Sequence, residues 1–229
     1  MLTKEITTSR IDSLSAEDLV RWANRRFGRG LVMSTSFGIQ SAVTLHLTTQ
    51  IRPDIPVIWV DTGYLPQETL DYAAQLTELL NLNLHIARSP ISPAEMEFRF
   101  GRLWESDNLK DLNRYDRIRK IEPMQQMMNK LCAKARISGL RADQTDYRQK
   151  LPRAKKTDST FMVHPILNWT RRDIYHYMQD FGLPPHPLWE RGYTTVGDAH
   201  SSRPATDQDA SERATRFRGM KQECGLHLD

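Results

Sequence analysis

Residues 31–50 read LVMSTSFGIQSAVTLHLTTQ, and this stretch decides the fold class. Leu31-Val32-Met33 is a short run of strand formers without a polar interruption, as a strand buried on both faces requires. Ser34 to Gln40 is serine-rich, and Ser41 to Gln50 carries a helical pattern. A strand, a serine-rich turn and a helix in direct succession make the opening of a βαβ unit.

The same alternation continues along the chain. Val57-Ile58-Trp59-Val60, Leu84-His85-Ile86, Ala135-Arg136-Ile137 and Phe161-Met162-Val163 read as further buried strands. Helical patterns run from Gln67 to Leu80, introduced by Pro66, and from Asp116 to Lys134, where Pro123 either kinks the helix or marks its start. The expected fold is therefore α/β, a doubly wound and mostly parallel sheet. Thr170 is an expected N-cap for one more helix, which Gly182 and Pro184 close. From Pro185 to about Arg216 the chain is rich in Pro, Gly, Ser and Asp and weakly periodic, which reads as a long functional loop or mobile tail. The stretch TDQDAS at 206–211 is assigned nothing.

The chain has 229 residues, 39% hydrophobic and 26% charged, an ordinary globular composition. Its first residues include Glu5, Asp12, Glu17 and Asp18 and no continuous apolar stretch, which speaks against a secretory signal or transit peptide. No run reaches the roughly 18 apolar residues of a membrane span. A cytoplasmic location is the expectation. The two cysteines, Cys132 and Cys224, form no C-x-x-C pair, so neither a zinc site nor a four-thiolate cluster can be assembled from this chain. The net charge of +4 suits an anionic partner without choosing among nucleotide, nucleic acid and acidic protein.

Four constellations carry chemistry. Ser34-Thr35-Ser36-Phe37-Gly38, between a strand and a helix, offers hydroxyls and unpaired N–H groups to an anion, or is a plain capped turn. It is not a Walker A loop, because no Gly-Lys-Ser/Thr follows. Asp61-Thr62-Gly63 ends the second strand at the edge where open α/β sheets bind ligands, and could grip a nucleoside or merely cap a turn. Arg141 and Arg148 follow the fourth strand and could meet phosphates, whereas Lys155-Lys156 reads as a solvated basic face. Cys224 lies in the basic, glycine-flanked segment Arg216 to His227, where a reactive thiolate competes with an incidental terminal thiol. Glu223 opposes ionisation and must be outweighed by cations. Cys132 reads as a buried, inert thiol, His46 and His85 as structural histidines, and Met124, Met127 and Met128 as core filler. His200 has only small or polar neighbours and stays open.

Taken together, STSFGIQSAV, RPDIPVIWVDTGYLPQET, YDRIRKIEPM, GLRADQTDYR, HPLWERGYTTVGDAHSSR and ECGLH resemble the thioredoxin-dependent phosphoadenylyl-sulfate reductases of sulfate assimilation, from about Leu31 onward. The resemblance implies an adenine nucleotide alpha-hydrolase-like sheet with residues 1–183 as the nucleotide-binding domain, opened by an N-terminal helical segment, and 184–229 as an active-site loop and catalytic tail. It implies that Ser34, Ser36, Phe37 and Gly38 hold the phosphosulfate end of 3′-phosphoadenylyl sulfate, that Asp61, Thr62 and Gly63 lie by the nucleoside, and that Arg141 and Arg148 meet phosphates. His200, Arg216 and Arg218 are implied as further substrate contacts. Cys224 would be the nucleophile, with Tyr193 orienting the site. The tail from about Thr206 would close over bound nucleotide. Thioredoxin or glutaredoxin would be the reductant and the assembly a homodimer, without metal, iron–sulfur cluster, nucleic acid or membrane. Relatives acting on adenylyl sulfate without the 3′-phosphate commonly carry Cys-Cys and Cys-x-x-Cys pairs for a cluster. Here the corresponding places read Leu131-Cys132 and Gly192-Tyr193, which favours the 3′-phosphorylated nucleotide, with a cluster-free adenylyl-sulfate reductase as the alternative.

Two rivals make different demands. An ATP pyrophosphatase-type adenylating enzyme needs a Ser-Gly-Gly-x-Asp-Ser loop, which Phe37 and Ile39 break. A basic nucleic-acid-binding module would use Arg114, Arg117, Arg119 and Arg153 on its surface and have no need of Cys224.

Overall fold

A computed structural model describes residues 11–158, 160–209, 211–221, 223, 225 and 226. Among them, six strands form one sheet: β1 (Leu31–Thr35), β2 (Pro56–Asp61), β3 (Asn83–Arg88), β4 (Ala135–Ile137), β5 (Ala154–Lys156) and β6 (Phe161–Val163), in the order β3-β2-β1-β4-β6-β5. All neighbours are parallel except β5, which pairs antiparallel with β6. The sequence pattern does not predict this antiparallel edge strand. Ala154-Lys155-Lys156 carries no apolar run, and its two lysines do stay in solvent, as edge strands tolerate.

Alternation along the strands builds a core on each face. Leu31, Met33, Val57 and Trp59 enter one cluster, and Val32, Ile58 and Val60 enter another with Met124 and Met128. The first face is covered by α1 (Ala16–Phe27), α2 (Ser41–Thr49) and α8 (Arg171–Asp180). Ser15 caps α1 by accepting from the Asp18 N–H, and its acidic first turn and basic last turn suit the helix dipole. Thr170 and Asp173 cap α8 reciprocally, in the capping-box arrangement. The remaining helices are α3 (Gln67–Leu79), α4 (Pro93–Phe100), α5 (Leu109–Asp116), α6 (Glu122–Lys130) and the short α7 (Asp146–Gln149). Of these, α6 lies against β2 and β3 and supplies the methionines of the second core.

The helix expected from Asp116 to Lys134 begins earlier and ends earlier. It starts as α5 at Leu109, passes through a π-turn at Arg117–Ile121 and stops with α6 at Lys130. The wide turn sits immediately before Pro123, whose ring and missing N–H disfavour a regular helix at that point. The early stop also corrects the reading of Cys132. It is exposed and adopts a left-handed φ of 50° just beyond the helix, so its thiol faces solvent and not the core.

Candidate active site

The chain visits β1, β2 and β3 and then returns to β4 on the other side of β1, which places a topological switch point beside β1. At the carboxyl edge there opens a cavity of about 210 Å³. Its floor comes from Ser34 near the end of β1, from Ser36, Gly38 and Ser41 after it, from Thr62 after β2, and from Ser138 and Gly139 after β4. The loop Thr194–Asp198, together with Arg213, Arg216 and Leu226, closes its outer side.

The turn after β1 has a definite local cause. Phe37 takes a left-handed φ of 46°, its N–H bonds the Thr35 hydroxyl at 3.1 Å, and its ring packs edge-on against Trp59 in the core. With Phe37 driven inward, Ser36 and Gly38 are left on the cavity side. The N-cap residue of α2, Gln40, makes no side-chain bond to the first turn, and the Ser41 N–H donates to the Gly38 carbonyl at 3.0 Å, so the helix start offers the cavity chiefly its positive dipole end. Gly139 lets the β4 loop pass this helix: a Cβ there would lie 2.5 Å from the Thr44 hydroxyl.

The cations are buried and paired. Lys120 Nζ lies 2.8 Å from Asp198 and 2.9 Å from Asp116, and Lys221 reaches Asp116 at 2.5 Å. Asp198 also accepts from the Thr62 hydroxyl. Burial alone would raise its pKa, but the charge and bond of Lys120, the Thr62 hydroxyl and Arg216 hold it well below the usual carboxylate range. Arg216 donates to Ser201 and Ser202 and borders the cavity. Arg148 borders it too, but its fork closes on both oxygens of Glu223 at 2.8 and 2.9 Å.

The structure thus brings Ser34, Ser36, Gly38, Thr62, Arg148 and Arg216 to one cavity. Other expected residues lie elsewhere. Asp61 accepts from the Gly63 N–H and from Arg88, shaping the turn behind Thr62. Gly63, at φ 77°, packs so closely on Pro93 that a Cβ would come within 2.7 Å of its ring. Arg141 pairs with Asp143 and Glu212. His200 stacks on Trp104 and bonds the Tyr115 hydroxyl at 3.1 Å, and removal from water lowers its pKa to about 4. Arg218 reaches outward to Asp107 and the Glu105 carbonyl. Tyr193 is half-buried and outside the cavity lining, and Cys224 lies outside the described residues. Sequence reasoning missed Lys120, Asp116 and Asp198. The i, i+4 spacing of Asp116 and Lys120 on one helix was the available signal.

The surfaces that a nucleic-acid-binding module would need are partly absent. Arg119 is buried and donates to the carbonyls of Thr62 and Ile91, and Arg153 to those of Leu14 and Pro165. Among the described residues, no group of three or more His, Cys, Asp or Glu is placed to hold a metal ion, and no helix is long and apolar enough to cross a membrane.

The family model for the phosphoadenosine phosphosulfate reductase domain matches residues 30–204. The chain belongs to the phosphoadenosine phosphosulfate reductase family. Relatives named phosphoadenosine 5′-phosphosulfate reductase include one from Synechococcus sp., 56% identical over 93% of this chain and 92% of the relative. One from Synechocystis sp. is 53% identical over 95% and 88%. A phosphoadenylyl-sulfate reductase from Candida auris, solved as a phosphate complex, superposes with a TM-score of 0.73 at 26% identity, over 88% of this chain and all (100%) of that one. An FMN adenylyltransferase from Candida glabrata shares the fold alone, with a TM-score of 0.64 at 14% identity over 89% of this chain and 68% of that one. Membership in the reductase family makes this chain an oxidoreductase acting on a sulfur group, and its sheet is the doubly wound, mostly parallel one expected.

Proposed function

We propose that this chain reduces 3′-phosphoadenylyl sulfate to sulfite and adenosine 3′,5′-bisphosphate, through an S-sulfocysteine on Cys224. The observation that carries the reading is the cavity itself. A serine–glycine turn at a helix N-terminus shares the cavity with the buried Arg148 and Arg216, and the described residues on the two sides of Cys224, Glu223 and Leu226, are held by Arg148 and Arg136. Ser36, Gly38 and the first turn of α2 would hold the phosphosulfate, Thr62 would meet the nucleoside, and Arg216 would stabilise charge gathering on the departing phosphate.

In the chemical step the Cys224 thiolate attacks the sulfonyl sulfur. The bond from sulfur to the phosphate oxygen breaks, and adenosine 3′,5′-bisphosphate leaves with that electron pair. A thiolate of reduced thioredoxin, or of glutaredoxin, then attacks the Cys224 sulfur and expels sulfite. The reductant's second thiol resolves the mixed disulfide, regenerating the Cys224 thiol and oxidised reductant. The same reading makes the enzyme a cytoplasmic homodimer serving cysteine biosynthesis.

Intact-mass measurement tests this directly. The reduced protein, incubated with the 3′-phosphorylated nucleotide and no reductant, should gain one sulfonate, the C224A variant none, and reduced thioredoxin should discharge the adduct as sulfite. An adduct only with unphosphorylated adenylyl sulfate would move the specificity, and no adduct with either nucleotide would end the reductase reading.

A further inference from the structure

Glu223 precedes Cys224 in the chain and has a place of its own. Its carboxylate takes two parallel donors from Arg148, Nε at 2.9 Å and Nη2 at 2.8 Å, and a third bond from the Thr145 hydroxyl at 2.8 Å. Both partners of the pair are almost wholly buried, Arg148 at 4% and Glu223 at 8% exposure. Thr145 also accepts from the Arg148 N–H as the N-cap of α7, so one short helix start organises both ends of the pair. A bidentate, buried, fully bonded ion pair of this kind fixes geometry far better than an exposed one.

The neighbouring described residues are fixed as well. Upstream, Lys221 bonds Asn113 at 2.7 Å and Asp116 at 2.5 Å on α5. Downstream, Gly225 lies so close to Ile121 that a Cβ would come within 2.8 Å of it, and the Leu226 carbonyl accepts from Arg136 at 2.5 Å. Four places, on α5, α7, the π-turn and β4, therefore hold the chain on the two sides of Cys224, and Arg148 and Leu226 both border the cavity.

We propose that Glu223 is a positioning residue: clamped by Arg148 and Thr145, it anchors the chain beside the cavity at the residue preceding Cys224, so that the thiolate attacks the bound sulfonate faster than it would from an unanchored chain. The clamp also answers an electrostatic problem. A free carboxylate beside a thiol raises its pKa, whereas a carboxylate neutralised by a guanidinium does not. This inference rests on the reductase reading above and concerns the rate of the thiolate's attack, not the affinity of the nucleotide.

Single-turnover sulfonation of Cys224, followed by intact mass, tests the clamp alongside the dissociation constant of adenosine 3′,5′-bisphosphate. The E223A variant should sulfonate about 100-fold more slowly, the scale expected when a reacting group is displaced by about an ångström. Its nucleotide affinity should stay close to that of the wild type, which also reports that it is folded. The E223Q variant, which keeps an oxygen for Thr145 and for one guanidinium donor, should recover part of the rate. Sulfonation of E223A at the wild-type rate would overturn the proposal. So would a loss of nucleotide affinity in E223A as large as its loss of rate, because that assigns Glu223 to the cavity's structure. A wild-type protein that forms no adduct defeats the reductase reading instead, so the two failures are distinct.

Discussion

His186 shows how much one side chain can decide. It is fully buried, its Nδ1 accepts from the Leu188 N–H at 3.1 Å, and its Nε2 bonds the Thr69 hydroxyl at 3.1 Å. An acceptor at Nδ1 places the ring proton on Nε2, so the imidazole is neutral. Burial accordingly lowers its pKa from 6.5 to about 4. Between those values the unfolded chain binds the more protons, so stability rises with pH in that window and is lost as pH falls from 6.5 toward 4. His200, lowered in the same sense, adds to the slope. Urea midpoints measured across this range should fall with acid, and the H186Q variant should flatten the dependence; an unchanged slope would show that His186 is not the sensor. In the sequence His186 is only one polar residue of a loop, since burial by α3 from more than a hundred positions away leaves no local mark.

At the scale of elements, the sheet's carboxyl edge depends on a close approach between the β4 loop and α2. Gly139 and Thr44 are the point of contact, where a Cβ on the glycine would lie 2.5 Å from the threonine hydroxyl. The G139A variant should lose about 1–3 kcal/mol of stability, the usual cost of overpacking, and G139A/T44A should recover part of it in the same denaturation experiment. Full stability in G139A would mean that the loop moves freely. Elements with strong periodicity are legible in the amino-acid order alone: β4 and β6 fall on their expected runs, α2 starts at Ser41, and α8 is capped by Thr170. Boundaries failed where a neighbour overrode the local pattern. The π-turn before Pro123 joined two helical stretches into one, and β5 formed because β6 offered its edge to a lysine-rich segment.

At the scale of the molecule, Lys120 ties the fold together. It stands on the π-turn and joins Asp116 on α5 to Asp198 in the outer loop, while Thr62 after β2 and Lys221 in the tail complete the same buried network. The K120M variant removes the cation shared by two buried carboxylates, leaving Asp116 with Lys221 and Asp198 with the Thr62 hydroxyl and the more distant charge of Arg216, so it should lose about 3–5 kcal/mol. Urea denaturation checks this, and a loss below about 1 kcal/mol, typical of an exposed pair, would show that water reaches the network. Patterning along the chain suffices for the doubly wound sheet, the serine–glycine turn after its first strand and the family, because period-two and helical patterning and contiguous motifs are local properties of the chain. Which charged side chains border the cavity and which are spent on each other is a matter of long-range packing. Arg141, Arg148, Arg153 and Arg218 look alike in one dimension. Burial and the distance to a carboxylate or a carbonyl, both set by segments far apart in the chain, give them different work.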